Sequence, residues 1–118
     1  SYKGKFMKYP FSTIVLISVT AFLPQSALSK TSSATSEIDR IAKSCIGKAK
    51  YFGEVVVCYD QQLTSYQKLL KKQKYFNKTR NNQLLSACGS TEWSEVSDDA
   101  ERNENYMCKI KASRSQLK

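Results

Sequence analysis

Four cysteines are the residues of this 118-residue chain whose type and number point most directly to chemistry. They are Cys45, Cys58, Cys88 and Cys108. Thiols can pair in disulfides, bind zinc as thiolates or act as nucleophiles. The chain has no histidine and no two cysteines at a short ligand spacing, so we expect no metal site. An even number of cysteines in an exported protein predicts two disulfides. Three pairings are open, and we favour the local pairs Cys45–Cys58 and Cys88–Cys108.

Side chains for catalysis are scarce. The usual general base is absent because there is no histidine, and oxidised cysteines offer no thiol nucleophile. Asp98 and Asp99 are adjacent, which suits a helix N-terminus better than an acid–base pair. We therefore predict no catalytic residue and no cofactor, and a protein that is not an enzyme.

The first thirty residues carry an export pattern. We interpret residues 1–6 as an upstream remnant, Met7 as the start and Lys8 as the basic n-region. An apolar segment at 11–23 is too short to span a membrane comfortably, and we predict cleavage after Ser29. The alternative is an uncleaved membrane anchor. The predicted parts are a remnant plus signal peptide at 1–29, a flexible leader at 30–36, a helical domain at 37–112 and a frayed tail at 113–118.

Charge is unevenly distributed along the chain. The net charge is +9, and loss of the signal peptide leaves 16 basic and 10 acidic residues, a net charge of +6. One basic group falls in a helical segment: Lys68, Lys71, Lys72, Lys74 and Lys78. An acidic block follows it from Glu92 to Glu104. The simpler interpretation is a solvated lysine-rich helix face, partly neutralised by the acidic block. The alternative is a binding surface for DNA, lipopolysaccharide or an anionic membrane.

Helices must position these residues. Apolar residues at helical spacing predict a first helix from about residue 37, capped by Ser36, and a second over about 54–76. A disulfide between Cys45 and Cys58 requires a turn, for which Gly47 and Gly53 are suited. We expect a polar turn at 77–82, a short helix at 83–88 and a last helix at about 97–112, whose inner face would contain Ala100, Met107, Cys108 and Ile110. The predicted fold is all-α, a small antiparallel bundle or hairpin stapled by two disulfides.

Residues 41–70 resemble the LprI-like lysozyme-inhibitor family of small exported bacterial proteins. The pattern consists of Cys45, twelve residues, Cys58, and then Asp60, Leu63, Tyr66 and Leu70. The family closes with Trp, Arg and Cys; here Trp93, Arg102 and Cys108 occur in that order, but more widely spaced.

The resemblance implies a disulfide-stapled helical domain that is periplasmic or secreted and binds a protein of the cell envelope. We expect no small-molecule substrate and, after cleavage of the signal peptide, no stable membrane span. Some relatives inhibit lysozyme. Because common lysozymes are cationic, we expect such a partner to contact Glu95, Asp98 and Glu101. The alternative function is binding of an anionic polymer or lipid by the five lysines of residues 68–78.

Overall fold

The computed structural model describes the backbone of residues 13–118 and the side chains from residue 31 onward. Four α-helices and no strand occur in this part of the chain. They are α1 (Thr13–Lys48), α2 (Phe52–Lys71), α3 (Lys78–Ser86) and α4 (Asp99–Ser115). The chain divides into two compact units at the boundary between Ser33 and Ala34, and every side-chain contact described below lies within the second unit. The predicted remnant, Met7 and Lys8 lie outside the described residues.

Helix α1 begins well before the predicted position. It passes through residues 30–36, for which we expected a flexible leader, so Ser36 is not an N-cap. Serine and threonine cost a helix only a few tenths of a kcal/mol each relative to better helix formers. A hydroxyl-rich segment that follows an apolar helix can therefore continue it. The cleavage after Ser29 remains a prediction.

Both predicted disulfides are present. Cys45 pairs with Cys58 and Cys88 with Cys108, with Cα atoms 5.7 and 5.5 Å apart. All four cysteines are thus oxidised, which indicates an oxidising, extracytoplasmic environment. None of the helices in the described part of the chain combines the length and apolar character needed to cross a membrane.

The reversal between α1 and α2 does not use the glycines that we expected to form it. Gly47 is within α1 and Gly53 is in the first turn of α2, whereas the chain turns at residues 49–51. Tyr51 precedes α2 in an extended conformation with φ −153°, which any residue can adopt. Glycine's conformational freedom is therefore not needed here.

Helix α1 pairs antiparallel with α2, as predicted, but α2 and α4 pair in the parallel direction. Asp39 of α1 contacts Tyr66 of α2, and the bridge from Cys45 to Cys58 lies at the opposite end of that hairpin. In contrast, Asp60 contacts Tyr106 and Gln67 contacts Ser113, so α2 and α4 run parallel. The intervening segment, with α3, returns the chain to the starting end.

The core lies mainly between α2 and α4. Tyr66 and Leu70 from α2 and Ile110 from α4 are almost completely buried. Our predicted inner face of α4 is mostly wrong, because Ala100, Met107 and Cys108 are exposed and only Ile110 is buried. The buried positions of α4 are Asn103, Tyr106, Ile110 and Ser113. Two of these are polar, so hydrophobic periodicity could not identify the buried face.

Two further segments differ from the sequence prediction. The expected polar turn at 77–82 is mostly the first half of α3, because the Asn77 side chain accepts a hydrogen bond from the Arg80 backbone N–H at 2.9 Å and caps the helix. The expected fraying tail is helical to Ser115. Ser113 within it is fully buried, and its hydroxyl accepts a 2.6 Å hydrogen bond from Gln67.

Candidate binding surfaces

The N-terminal ends of α2 and α4 lie side by side and form the first candidate surface. Parallel packing brings Tyr51, which immediately precedes α2, to the start of α4. A Cβ atom placed on Gly53 would lie 3.1 Å from the Tyr51 ring and 3.6 Å from a carboxylate oxygen of Asp99. Residues far apart in sequence thus meet at one end of the bundle.

Trp93 is attached to the same end by Arg102. Residues 92–96 form a turn in which the backbone N–H groups of Glu95 and Val96 donate to the carbonyl of Glu92. The Arg102 guanidinium lies 5.6 Å from the centre of the Trp93 ring, a cation–π distance. Arg102 also donates to Asp99 at 3.1 Å and to the Thr91 carbonyl at 3.2 Å. This arrangement positions the indole beside the acidic start of α4.

Three large aromatic side chains at this end face solvent. Tyr51 is 66% exposed, Phe52 61% and Trp93 64%. The three predicted partner-binding residues Glu95, Asp98 and Glu101 are also exposed, and one Asp98 oxygen caps α4 by accepting from the Ala100 N–H at 3.2 Å. We call this set the acidic–aromatic end: Tyr51, Phe52, Trp93, Glu95, Asp98, Asp99 and Glu101. Sequence reasoning identified its carboxylates but missed its aromatic residues, because exposed and buried aromatics have the same sequence signal.

No family model, curated protein or solved structure matches this chain. The resemblance to the LprI-like family therefore rests on the residues that carry it. Trp93 and Arg102, which are nine positions apart in sequence, are stacked in the structure. Tyr66 and Leu70 are core residues, and Asp60 accepts a hydrogen bond from the Tyr106 hydroxyl at 3.0 Å. Membership of the family stays a prediction.

The second candidate surface lies at the C-terminal end of α2. We call it the basic end, and it comprises Lys68, Lys71, Lys72, Lys74 and Lys78. All five are exposed, and none forms an ion pair within the described residues. Gly53 and Lys71 are separated by roughly 27 Å along the helix axis, at about 1.5 Å per residue. That distance exceeds the Debye length of about 8–10 Å in physiological salt. The acidic block therefore does not neutralise these lysines at close range.

A hydrogen-bonded cluster centred on Asp39 joins α1, α2 and α4. The Tyr66 hydroxyl donates to Asp39 Oδ1 at 2.7 Å, and Gln62 donates to the same oxygen at 3.0 Å. Arg114 Nη2 donates to both Asp39 oxygens at 3.0 and 3.1 Å, while its Nε donates to the Tyr66 hydroxyl at 3.1 Å. Sequence reasoning missed this cluster because Arg114 lies in the expected frayed tail.

The same contacts shift ionisation within the cluster. Partial burial alone would raise the pKa of Asp39, but hydrogen bonds from Tyr66 and Gln62 and the charge of Arg114 lower it overall. Burial, followed by the hydrogen bond to Asp39, raises the pKa of Tyr66. The hydrogen bond to Tyr66 is the main cause that raises the pKa of Arg114. The cluster is therefore a carboxylate, a neutral phenol and a guanidinium at neutral pH, an arrangement that holds helices together.

Proposed function

We propose that this protein is a non-enzymatic, all-helical binding module of the bacterial cell envelope, periplasmic or secreted, and that its acidic–aromatic end binds another protein. The observation that carries the proposal is the exposure of Tyr51, Phe52 and Trp93 beside a group of carboxylates. Aromatic residues dominate the binding energy of many protein interfaces. Leaving three of them exposed on so small a domain has no benefit for folding.

The chemistry of this end favours a cationic partner. Glu95, Asp98 and Glu101 would attract positive charge during encounter, and the aromatic rings would be buried on docking. Lysozyme is the cationic candidate that the family resemblance supplies. The basic end lies more than two Debye lengths away, so its repulsion of such a partner is largely screened.

Binding kinetics with a cationic lysozyme test the proposal. The variant E95K/D98N/E101K removes or reverses three charges, and asparagine at position 98 can still cap α4. We expect the association rate at low salt to fall about tenfold or more, with a smaller change in dissociation. The control K71Q/K72Q/K74Q neutralises three charged residues at the basic end and should bind slightly faster.

Replacement of Trp93 by alanine tests the aromatic part separately. Loss of an interface-centre tryptophan typically costs about 2 kcal/mol or more, mainly as faster dissociation. Tyr75, an exposed tyrosine near the basic end, provides the matched control Y75A. If the wild type binds and neither the triple variant nor W93A differs from it in binding, this surface is excluded. No binding or inhibition by the wild-type protein at micromolar concentration would exclude lysozyme as the partner.

A second candidate function uses the other end of the molecule. Five exposed lysines without ion pairs in the described residues favour binding of an anionic polymer or lipid at the basic end. DNA, lipopolysaccharide and anionic vesicles are suitable probes. The absence of binding to all three at low salt would remove this candidate.

A further inference from the structure

A groove of about 630 Å³ lies along one flank of α4, between this helix and α2. It is separate from both surfaces described above. Tyr59, Met107 and Ile110 contribute apolar area to it, and Cys108 of the Cys88–Cys108 bridge adds to the lining. Met107 is 43% exposed, although an apolar side chain of this size is usually covered. The groove thus offers apolar contact to a ligand.

Charges of opposite sign occupy the two ends of the groove. Glu104 lines the end nearer the start of α4, and Lys111 and Arg114 line the other. Residues 104, 107, 111 and 114 follow one stripe of the helix, at spacings of three, four and three. Glu104 therefore lies roughly 10 Å along the axis from Lys111 and roughly 15 Å from Arg114.

These charged groups are able to bind a ligand. Glu104 and Lys111 are exposed and form no ion pair in the described part of the chain. The hydrogen bonds of Arg114 to Asp39 and Tyr66 use Nη2 and Nε, and the described residues include no acceptor for its Nη1. Those bonds also hold the guanidinium in place, so binding through Nη1 would require little additional ordering.

We propose that this groove binds a short apolar peptide with free ends. The peptide's ammonium group would lie at Glu104, its apolar side chains on Met107 and Ile110, and its carboxylate at Lys111 and Arg114. An extended chain rises about 3.3 Å per residue, so three or four residues match the separation of the charges. A fatty-acid-like anion fits less well, because it would leave Glu104 without a partner.

NMR titration of the isotope-labelled protein provides the test. The probes are the tetrapeptide alanyl-leucyl-leucyl-alanine, its N-acetyl form, its C-terminal amide, and decanoate. We expect the free peptide to shift the resonances of Met107 and Ile110 at millimolar concentration. Acetylation or amidation should each weaken binding by a factor of about 1.5 to 5, the range of a solvent-exposed ion pair.

Two variants test which terminus of the peptide lies at which end of the groove. E104Q should abolish the preference for the free over the acetylated peptide, and K111Q should reduce the preference for the carboxylate over the amide, since Arg114 remains at that end of the groove. K43Q, which changes an exposed lysine on α1 outside the groove, should alter neither preference. The proposal is overturned if the free peptide causes no shifts, if decanoate binds more tightly than the peptide, if E104Q leaves the first preference unchanged, or if K111Q leaves the second unchanged. None of these outcomes depends on the acidic–aromatic end.

Discussion

Two ion pairs of this molecule show how the surroundings of a carboxylate decide its importance. Glu37 pairs with Arg40 at 2.7 Å on the exposed face of α1, one helical turn away. Asp39 pairs with Arg114 across 75 residues and also accepts hydrogen bonds from Tyr66 and Gln62. Exposed pairs within one helix contribute little, whereas a carboxylate with several partners from other helices helps to fix the tertiary structure.

We predict that Asp39→Asn destabilises the protein by about 1–2 kcal/mol, since a neutral amide cannot replace the charge-assisted hydrogen bonds of the carboxylate. Because Asp39 is partly exposed, the effect should be smaller than for a fully buried pair. Urea unfolding at neutral pH measures it. The control Glu37→Gln should leave the unfolding midpoint unchanged. Equal effects of the two substitutions would show that the cluster around Asp39 adds no stability.

The lowered pKa of Asp39 also predicts a pH dependence. A carboxyl whose pKa is lower in the folded than in the unfolded protein stabilises the fold above its ordinary pKa of about 4. This stabilisation is lost as the pH falls through the lower, folded value. The difference in stability between the wild type and Asp39→Asn should therefore be full at pH 6 and shrink towards pH 2. A difference that is constant over this range would contradict the prediction.

At the scale of secondary structure, the backbone conformation of the segment between α3 and α4 requires a glycine at position 89. Gly89 has φ +95°, and a Cβ atom there would lie 3.0 Å from the Asn105 amide. Asn105 in turn donates to the Ser90 carbonyl at 2.7 Å, so it cannot move freely. We predict that Gly89→Ala destabilises the protein by about 1–2 kcal/mol, from backbone strain and this contact.

Gly47→Ala is the matched control for that substitution. Gly47 is helical, and no atom lies within 4 Å of an added Cβ. Alanine is favoured over glycine in a helix by up to about 1 kcal/mol, so this variant should be as stable as the wild type or more stable. Thermal unfolding of both variants checks the pair. Similar effects at the two positions would contradict the assignment of strain to Gly89.

The two disulfides are expected to stabilise different helices of the domain. Helix α1 contributes only Ala42 to the buried core of the described residues, and its bridge to Cys58 constrains it against α2. We predict that C45A/C58A mainly releases α1, because closing a loop of this length is worth about 3 kcal/mol in the chain-entropy model. Hydrogen exchange of residues 37–48 should accelerate, while α2 and α4 remain protected. Uniform loss of protection in all helices would show that the domain unfolds as a unit.

The features predictable from sequence were those with a strong local or covalent signal. Leu63, Tyr66 and Leu70 recur at helical spacing, so α2 was predicted, including its β-branched start, although it ends at Lys71 and not at about residue 76. The local cysteine pairs and the all-α fold were also predicted correctly. Helix α4 was placed approximately, but its buried face was not, because Asn103 and Ser113 are buried in place of apolar residues.

The features that could not be predicted from sequence depend on contacts between residues that are far apart in the chain. The parallel pairing of α2 and α4 follows from polar contacts such as Gln67 with Ser113, whose partners lie 46 residues apart. No periodicity identifies such partners. The candidate site was therefore predicted only in part: its carboxylates formed a visible block, but its aromatic residues came from two distant turns that only this pairing brings together.

At the scale of the whole domain, parallel packing turns an uneven sequence charge into two separate poles. The N-terminal ends of α2 and α4 share one end, where Asp98, Asp99 and Glu101 complement the helix dipoles. The C-terminal end of α2 contains Lys68 and Lys71, which complement the opposite pole of the dipole. An antiparallel pair would have mixed these charges. The two ends can therefore be tested independently.

We predict that K71Q/K72Q/K74Q weakens binding to double-stranded DNA and reduces its salt dependence. If all three lysines contact phosphates, the slope of log K against log salt concentration should become shallower by about 2.7, at about 0.9 for each contact. The matched control is K43Q/K48Q/K50Q, which removes three exposed lysines from the end of α1 and the turn after it. This control lowers the net charge equally but should largely retain the slope, because these lysines lie at the other end of the hairpin. Equal slopes for the two triple variants would show that net charge, and not the basic end, governs binding.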